Sequence, residues 1–183
     1  MKKLSVITIV ALIVLITTTN TACKKEDNNT LATPTLYDSL GGTTMVVDPK
    51  AGMIEKGRLG IRSVVDSTIF VIAGDPQLNG FFPMLLAEVT SGNLTGFNAL
   101  SKNLTDFFCV ATGAKNFTYT GKSMVDAHDP AKHPRMPAKA NNANFDRFIA
   151  NLVKGAQQVG LSNDLIGRVG RVTETTRTAV VQR

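Results

Sequence analysis

Few residue types that carry out chemistry are present in this chain of 183 residues. It has two histidines, His128 and His133, and two cysteines, Cys23 and Cys109. No Gly-x-Ser-x-Gly elbow marks a hydrolase, and no glycine-rich loop followed by Lys and Ser or Thr marks a phosphate site. The histidines and their neighbouring aspartates supply too few ligands in a helical arrangement for zinc. Hydrolytic, phosphate-binding and zinc chemistry are therefore disfavoured.

One kind of metal site needs only a single protein ligand. A haem iron takes four bonds from its porphyrin, so one imidazole and an apolar slot can hold it and leave the other face for a gas. Nine Phe residues and many aliphatic residues could build such a slot. A lone histidine beside an apolar face is more often structural, so composition alone leaves both interpretations open.

The elements that must position these residues are predicted to be helices. Apolar residues recur at helical spacing after Gly57, from Phe97 to Ala111, from Phe145 to Ala156 and after Ser162. The first of these stretches places six residues on one face: Ile61, Val64, Val65, Thr68, Ile69 and Ile72.

Capping residues and glycines mark where the predicted helices begin and end. Thr35 and Ser162 are candidate N-caps, and the double glycine at 41–42 ends a short first helix. Residues 43–56 are expected to form an irregular loop, and the last helix to carry Val180 on its inner face. No alternation of period two appears, so we predict an all-α domain of five to seven crossing helices.

Several blocks of the sequence resemble the group 1 truncated haemoglobin family. The most specific block is 119–128, Tyr-Thr-Gly-Lys-Ser-Met-Val-Asp-Ala-His, and weaker matches lie at 36–42 and 78–82. The resemblance covers residues 35–183. It implies the truncated globin fold, in which helices pack two over two around haem b.

The same resemblance implies which residues contact the haem. The histidine that closes the 119–128 block is the proximal iron ligand of the family, which implies that His128 binds iron here. Its other ring nitrogen should donate to a backbone carbonyl. The other residues implied at the haem are Phe81, Phe82, Ile69, Leu100, Leu104, Tyr119 and Met124.

The distal side departs from the family. Ile69 stands where the family usually has Tyr, and Leu100 and Leu104 occupy two distal-helix positions. The distal side is thus predicted to be apolar. Loss of a hydrogen bond contributing about 1 kcal/mol, or more when buried, should speed dioxygen release by roughly tenfold or more. A rotated helix would offer other polar residues: Asn103, Ser101 or Thr68.

The remaining candidates for chemistry receive structural interpretations. His133 follows His128 by five residues across Pro130, so it should not reach the opposite haem face and is expected to be a solvated loop histidine. Cys109 is expected to be a buried small hydrophobe. The soft alternative ligands are Met84, Met124 and Met136, although Met more often fills a core or loop. Relative to the family, the chain carries insertions at 43–56 and 129–142.

The first residues are typical of an exported protein. Residues 1–22 combine a basic start with a short apolar run, which predicts a signal peptide. Asn20-Thr21-Ala22-Cys23 resembles a bacterial lipoprotein cleavage box, which implies lipidation of Cys23 and a flexible tether over 23–34. We therefore expect a lipid-anchored protein of a Gram-negative cell envelope, at the outer membrane and with a surface-export signal in Lys25-Glu26-Asp27. A plain secreted protein is the alternative.

The charge distribution bears on partners. The formal net charge is +6, but the basic residues are spread along the chain and form no run of five or six. A nucleic-acid partner is therefore not expected.

Three functional classes remain open from the sequence. We favour reversible binding of a diatomic gas, mainly dioxygen, by a membrane-tethered haem globin that is not an enzyme. A haem enzyme that dioxygenates nitric oxide or consumes peroxide is the first alternative, and it would need an electron-donating reductase as partner. A haem-free helical interaction lipoprotein is the second.

Overall fold

The structure is a computed structural model that describes residues 33–183. The predicted signal peptide, Cys23 and most of the predicted tether lie outside the described residues. Within 33–183, the helices and strands follow in this order: α1 Leu36–Ser39, β1 Met45–Asp48, β2 Gly52–Glu55, α2 Lys56–Ala73, α3 Pro83–Thr90, α4 Thr95–Ala111, α5 Met124–His128, α6 Asn142–Gln158, α7 Asn163–Glu174 and α8 Arg177–Val180. A 3-10 turn at Asn79–Phe81 precedes α3.

The predicted helix ends agree with the observed caps. The Thr35 hydroxyl accepts a hydrogen bond from the backbone N–H of Asp38, and the Asp38 carboxylate accepts one from the Thr35 N–H. Ser162 caps α7 as predicted. Gly41 and Gly42 both have positive φ after α1, a conformation that side-chain-bearing residues rarely adopt. Local hydrogen bonding and glycine freedom therefore set these ends.

The core is built around α2, which packs against α4 and α6. The predicted apolar face of α2 is buried. Gly155 of α6 lies against this helix so closely that a Cβ atom there would stand 2.5 Å from the Thr68 hydroxyl. The absence of a side chain at Gly155 thus permits the close approach of α2 and α6.

A buried polar cluster fixes the end of α2 to α6. The Asp75 carboxylate, 4% exposed, accepts hydrogen bonds from Arg147 Nε at 2.6 Å and Asn151 Nδ2 at 2.5 Å. The Arg147 guanidinium and these hydrogen bonds hold the pKa of Asp75 well below its usual range, despite burial. The carboxylate is therefore ionised and fully paired.

The all-α prediction is confirmed at the level of fold class, with three corrections. Residues 43–56 form an antiparallel hairpin with Val47 opposite Met53, rather than an irregular loop. Eight α-helices are described where five to seven were expected. The last predicted helix breaks after Glu174, so Val180 lies in the separate helix α8.

The hairpin escaped prediction because its strands have only four residues each. Its turn is made by the Asp48 carboxylate, which accepts hydrogen bonds from the N–H groups of Lys50 and Ala51 at 2.7 Å. Gly52 completes the turn with φ of +71°. Such short strands carry too little alternation to register as period two.

Between residues 33 and 183, no helix combines the length and the apolar character needed to cross a bilayer.

Candidate functional site

A cavity of about 550 Å³ lies beside the core, and mainly apolar side chains line it. Helices α2, α3, α4 and α5 contribute to its wall, together with the segment after α5 and parts of α6 to α8. All eight residues that the resemblance placed at a haem line this one cavity: Ile69, Phe81, Phe82, Leu100, Leu104, Tyr119, Met124 and His128. The structure brings them together, while their contact with a haem stays a prediction.

His128 is the last residue of α5, and its imidazole is anchored by its own helix. The Nδ1 atom lies 2.8 Å from the backbone carbonyl oxygen of Met124. A carbonyl oxygen only accepts, so in the neutral ring Nδ1 carries the proton and Nε2 keeps its lone pair. The expected bond from His128 to a backbone carbonyl is present. The ring is thus oriented as a neutral ligand for a metal.

The environment of His128 favours the neutral ring. Burial lowers the pKa of the imidazole from its usual value of 6.5. The hydrogen bond to Met124 opposes this effect, and the neighbouring His133 adds to it. Burial prevails and lowers the pKa, so the lone pair on Nε2 is available at neutral pH.

His133 corrects an expectation. It was predicted to be a solvated loop residue, but it is half-buried and lines the same cavity. Its Nδ1 atom lies 2.9 Å from the carbonyl oxygen of Ala127, so the loop after α5 folds back onto that helix. The prediction failed because the loop geometry around Pro130 depends on contacts distant in sequence.

The α2 and α4 side of the cavity is apolar. Ile69 comes from the buried face of α2, and Leu100 and Leu104 come from α4. Phe70 and Phe97 stack at the edge of this wall, with ring centroids 5.3 Å apart. This arrangement agrees with the predicted apolar distal side.

The three polar alternatives on this side separate in the structure. The Thr68 hydroxyl donates to the carbonyl oxygen of Val64 at 2.7 Å, and the Ser101 hydroxyl donates to the Asp66 carboxylate. Neither Thr68 nor Ser101 lines the cavity, whereas Asn103 lines it from an exposed position. Helix α4 is therefore not rotated in the way that would present Ser101.

The aromatic part of the 119–128 block supports the cavity wall. The Tyr119 ring meets Phe107 edge to face, with centroids 5.8 Å apart. The Tyr119 hydroxyl donates to the carbonyl oxygen of Lys122 at 2.7 Å. All three candidate methionine ligands also line the cavity: Met84, Met124 and Met136.

An ion pair at the cavity went unrecognised in the sequence. Arg135 donates from both terminal nitrogens to the two carboxylate oxygens of Glu88, at 2.8 and 2.7 Å. It ties segment 129–142 to α3, next to Gly96, where a Cβ atom would stand 2.0 Å from Glu88 Oε2. Glu88 and Arg135 are 47 residues apart in the sequence, so no local sequence pattern predicts their pairing.

Cys109 lies outside the cavity lining, as a structural residue would. It is fully buried, and burial raises the pKa of its thiol to about 11. Its burial confirms the interpretation as a small buried residue, and a raised pKa keeps the thiol protonated and therefore unreactive at neutral pH. Within residues 33–183, no group of three or more His, Cys, Asp or Glu side chains is placed to hold a metal ion.

Comparison with known proteins adds two findings to this geometry. No family model matches the sequence. The chain is 31% identical over 83 residues to a group 1 truncated hemoglobin of Tetrahymena thermophila. The aligned part is 45% of this chain and 62% of that relative, so the match spans less than two thirds of the relative's length.

Solved structures give a broader match. The Fe(III) form of a truncated hemoglobin from Tetrahymena pyriformis superposes with a TM-score of 0.58 at 23% identity. A 2/2 hemoglobin from Synechococcus sp. PCC 7002, described in the cyanomet state and with covalently attached heme, gives the same TM-score and identity. Each match covers 82% of this chain and 100% of the other. The chain therefore has the truncated globin fold, the two-over-two arrangement of helices.

Proposed function

We propose that this protein is a haem-binding globin that holds a diatomic gas reversibly through an iron bound to Nε2 of His128. The observation that carries the proposal is the anchored imidazole. Its Nδ1–H donates to Met124 and leaves a single lone pair, on Nε2, at an apolar cavity. A haem iron requires this kind of ligand and no further protein donor.

The residues present fit a haem group. The cavity volume of about 550 Å³ falls within the range of roughly 300–1,000 Å³ that is typical of cofactor sites. Phe81, Phe82 and Phe107 supply apolar surface for a flat ring. Lys122 also lines the cavity and carries positive charge, which suits the carboxylates of a haem.

When bound, the haem supplies an iron with an open position for a diatomic gas. The chain itself contributes three functions. Met124 fixes the tautomer and direction of His128. Ile69, Leu100 and Leu104 make the α2 and α4 side of the cavity apolar, and the Glu88–Arg135 pair holds segment 129–142 beside the cavity.

We propose gas binding rather than turnover, because no acid or base group is available on the apolar wall formed by the described residues of α2 and α4. Nitric oxide consumption by the hemin-loaded protein, with a reductant added, should therefore not exceed that of free hemin. Consumption well above this level would favour the enzymatic alternative and a reductase partner.

The test of haem ligation compares two histidine variants of the full chain. Reconstitution with hemin should give wild-type protein a Soret band of one haem per chain. His128→Ala should lose or strongly shift this band, because the iron loses the imidazole that we assign as its ligand. His133→Ala is the matched control and should retain it. An unchanged spectrum in His128→Ala would overturn the assignment.

We further propose that the protein is lipid-anchored through Cys23 in the envelope of a Gram-negative bacterium. The support is the sequence alone: a basic start, an apolar run over Leu4–Ile16 and a cysteine at the end of a cleavage box. Radiolabelled palmitate should enter the wild type and not Cys23→Ser. An unlabelled wild type would contradict the anchor.

A further inference from the structure

The hairpin of β1 and β2 exposes apolar side chains that take no part in the cavity. We propose that its outer face docks on the anionic phospholipid bilayer that holds the lipid anchor at Cys23. The proposal rests on the proposed lipidation of Cys23 and is independent of haem ligation by His128.

Pairing of the two strands puts three apolar side chains on one face of the hairpin. Val47 lies opposite Met53, and Met45 precedes Val47 by two residues, so the three side chains point to the same side of the sheet. Val47 is 75% exposed, Met53 59% and Met45 50%. Val46 and Ile54, on the opposite side, are half-buried. Adjacent exposed apolar side chains, unlike scattered ones, indicate a contact surface.

The acidic groups of the hairpin are already engaged by the protein. The Asp48 carboxylate is buried and pairs with Arg62. The Glu55 carboxylate accepts hydrogen bonds from the Tyr37 hydroxyl at 2.6 Å and from Asn116 Nδ2 at 2.7 Å. These contacts leave little negative charge to repel an anionic surface.

Two lysines at the hairpin remain available to such a surface. Lys50 lies in the turn between the strands, and Lys56 directly follows β2. Both are exposed, and neither pairs with a carboxylate among residues 33–183. Cationic side chains next to an apolar face are the combination that binds the headgroup region of an anionic bilayer.

The hairpin also lies close in sequence to the proposed anchor. Cys23 precedes Thr33, the first described residue, by ten residues, a length of chain that spans at most about 35 Å. Helix α1 follows at once, and its Tyr37 bonds to Glu55 at the end of β2. The chain therefore enters the domain beside the hairpin. A lipidated Cys23 would keep the hairpin at a high local concentration near the bilayer.

The size of the face favours a bilayer over a second copy of the chain. A stable protein interface uses about 20–30 residues from each partner. The hairpin offers three apolar side chains on strands of four residues. A membrane contact needs less area, because a lipid chain together with one weaker contact is enough for stable attachment.

The experiment places a fluorescent label on the outer face of the hairpin. Val47→Cys in the lipidated, hemin-loaded protein is labelled with nitrobenzoxadiazole, while the thiol of Cys109 is fully buried and stays unlabelled. The protein is inserted into vesicles of phosphatidylethanolamine and phosphatidylglycerol. Lipid that carries a nitroxide near its headgroup should lower the emission by about half, because interfacial contacts bury apolar groups about 5–10 Å deep.

The matched control is Val159→Cys, labelled in the same way. Val159 is an exposed valine at the end of α6, and its label should keep its emission when the nitroxide lipid is present. Equal quenching at the two positions would overturn the proposal. An unquenched label at position 47 in a protein that sediments as a dimer would overturn it too, because a second copy would then cover the face.

A charge reversal tests the lysine of the turn. In the labelled Val47→Cys protein, Lys50→Glu should reduce the quenching by about half, because it replaces an attractive charge with a repulsive one. Lys154→Glu, on an exposed lysine of α6, is its control and should leave the quenching unchanged. Equal effects of the two reversals would count against the proposal.

Failure of the anchor and failure of the docking face give different results. A wild type that takes up no palmitate would overturn the anchor and the docking proposal together. A lipidated protein without quenching at position 47 would overturn the docking proposal alone.

Discussion

At the scale of single residues, two imidazoles share one cavity and one mode of anchoring. His128 and His133 each donate from Nδ1 to a backbone carbonyl of α5, at Met124 and Ala127. Both rings are thereby held with Nε2 deprotonated when neutral. His128 is fixed within its own helix, whereas His133 depends on a loop folding back. This difference in support is why we assign the iron to His128.

The pH dependence of stability should report the burial of His128. Because burial lowers its pKa in the folded protein, the unfolded chain binds the proton first as pH falls through 6.5. Stability from this residue is present above that pH and is lost below it. The free energy of unfolding of hemin-free wild type should therefore fall more steeply between about pH 7 and 5 than that of His128→Asn, by up to roughly 1 kcal/mol per pH unit.

Urea denaturation of the two full-length proteins across this range measures the difference. Asn at 128 keeps an amide N–H that can donate to a carbonyl but has no proton to gain. Identical slopes would mean that His128 has the same pKa in the folded and the unfolded chain. That result would contradict the burial of its imidazole in the cavity wall.

Sequence and structure agree well at this scale where the signal is local. The block ending at His128 lies within ten residues, so its members could be recognised together. His133 and the Glu88–Arg135 pair were missed because their placement depends on how segment 129–142 folds against α5 and α3. Contacts between segments that are distant in the sequence produce no periodic pattern from which they could be predicted.

At the scale of elements, α2 and α6 pack closely against each other, and both helices contribute residues to the cavity wall. Gly155 stands where a Cβ atom would be 2.5 Å from Thr68 Oγ1 and 2.7 Å from the Thr68 backbone nitrogen. Backbone atoms cannot move aside as the end of a flexible side chain can. The position therefore requires the absence of a side chain.

Substitution of this glycine should separate the helices. Gly155→Ala is expected to lower the free energy of unfolding by about 1–3 kcal/mol, as overpacking does. Gly170→Ala in α7 is the matched control, because a Cβ atom there meets nothing within 4 Å. It should raise stability by up to about 1 kcal/mol through helix propensity. The urea midpoints of hemin-free variants check both, and equal effects would contradict the close crossing.

The spacing of apolar residues predicted the long helices correctly but did not predict the short elements. Helices α2, α4 and α6 each span 17 or 18 residues and bury one face, so their 3.6-residue repeat is evident. The hairpin at 45–55 and the break between α7 and α8 involve segments of four residues. Tertiary contacts decide the structure of such short segments.

At the scale of the whole molecule, the fold leaves a large apolar cavity beside a packed core. Such a cavity exposes apolar surface that the chain itself does not fill, and an apolar cofactor would cover it. The truncated globin fold and the anchored His128 are the basis of our proposal that this surface binds haem. We propose that one imidazole, that of His128, holds the haem iron in this cavity.

Rescue by free imidazole tests that claim most directly. His128→Gly removes the side chain and leaves room beside Met124 for a small ligand. The full-length variant should bind hemin weakly alone and regain a wild-type Soret band when imidazole is added, because the free base replaces the missing ligand. Wild-type hemin binding by His128→Gly without imidazole would contradict the account.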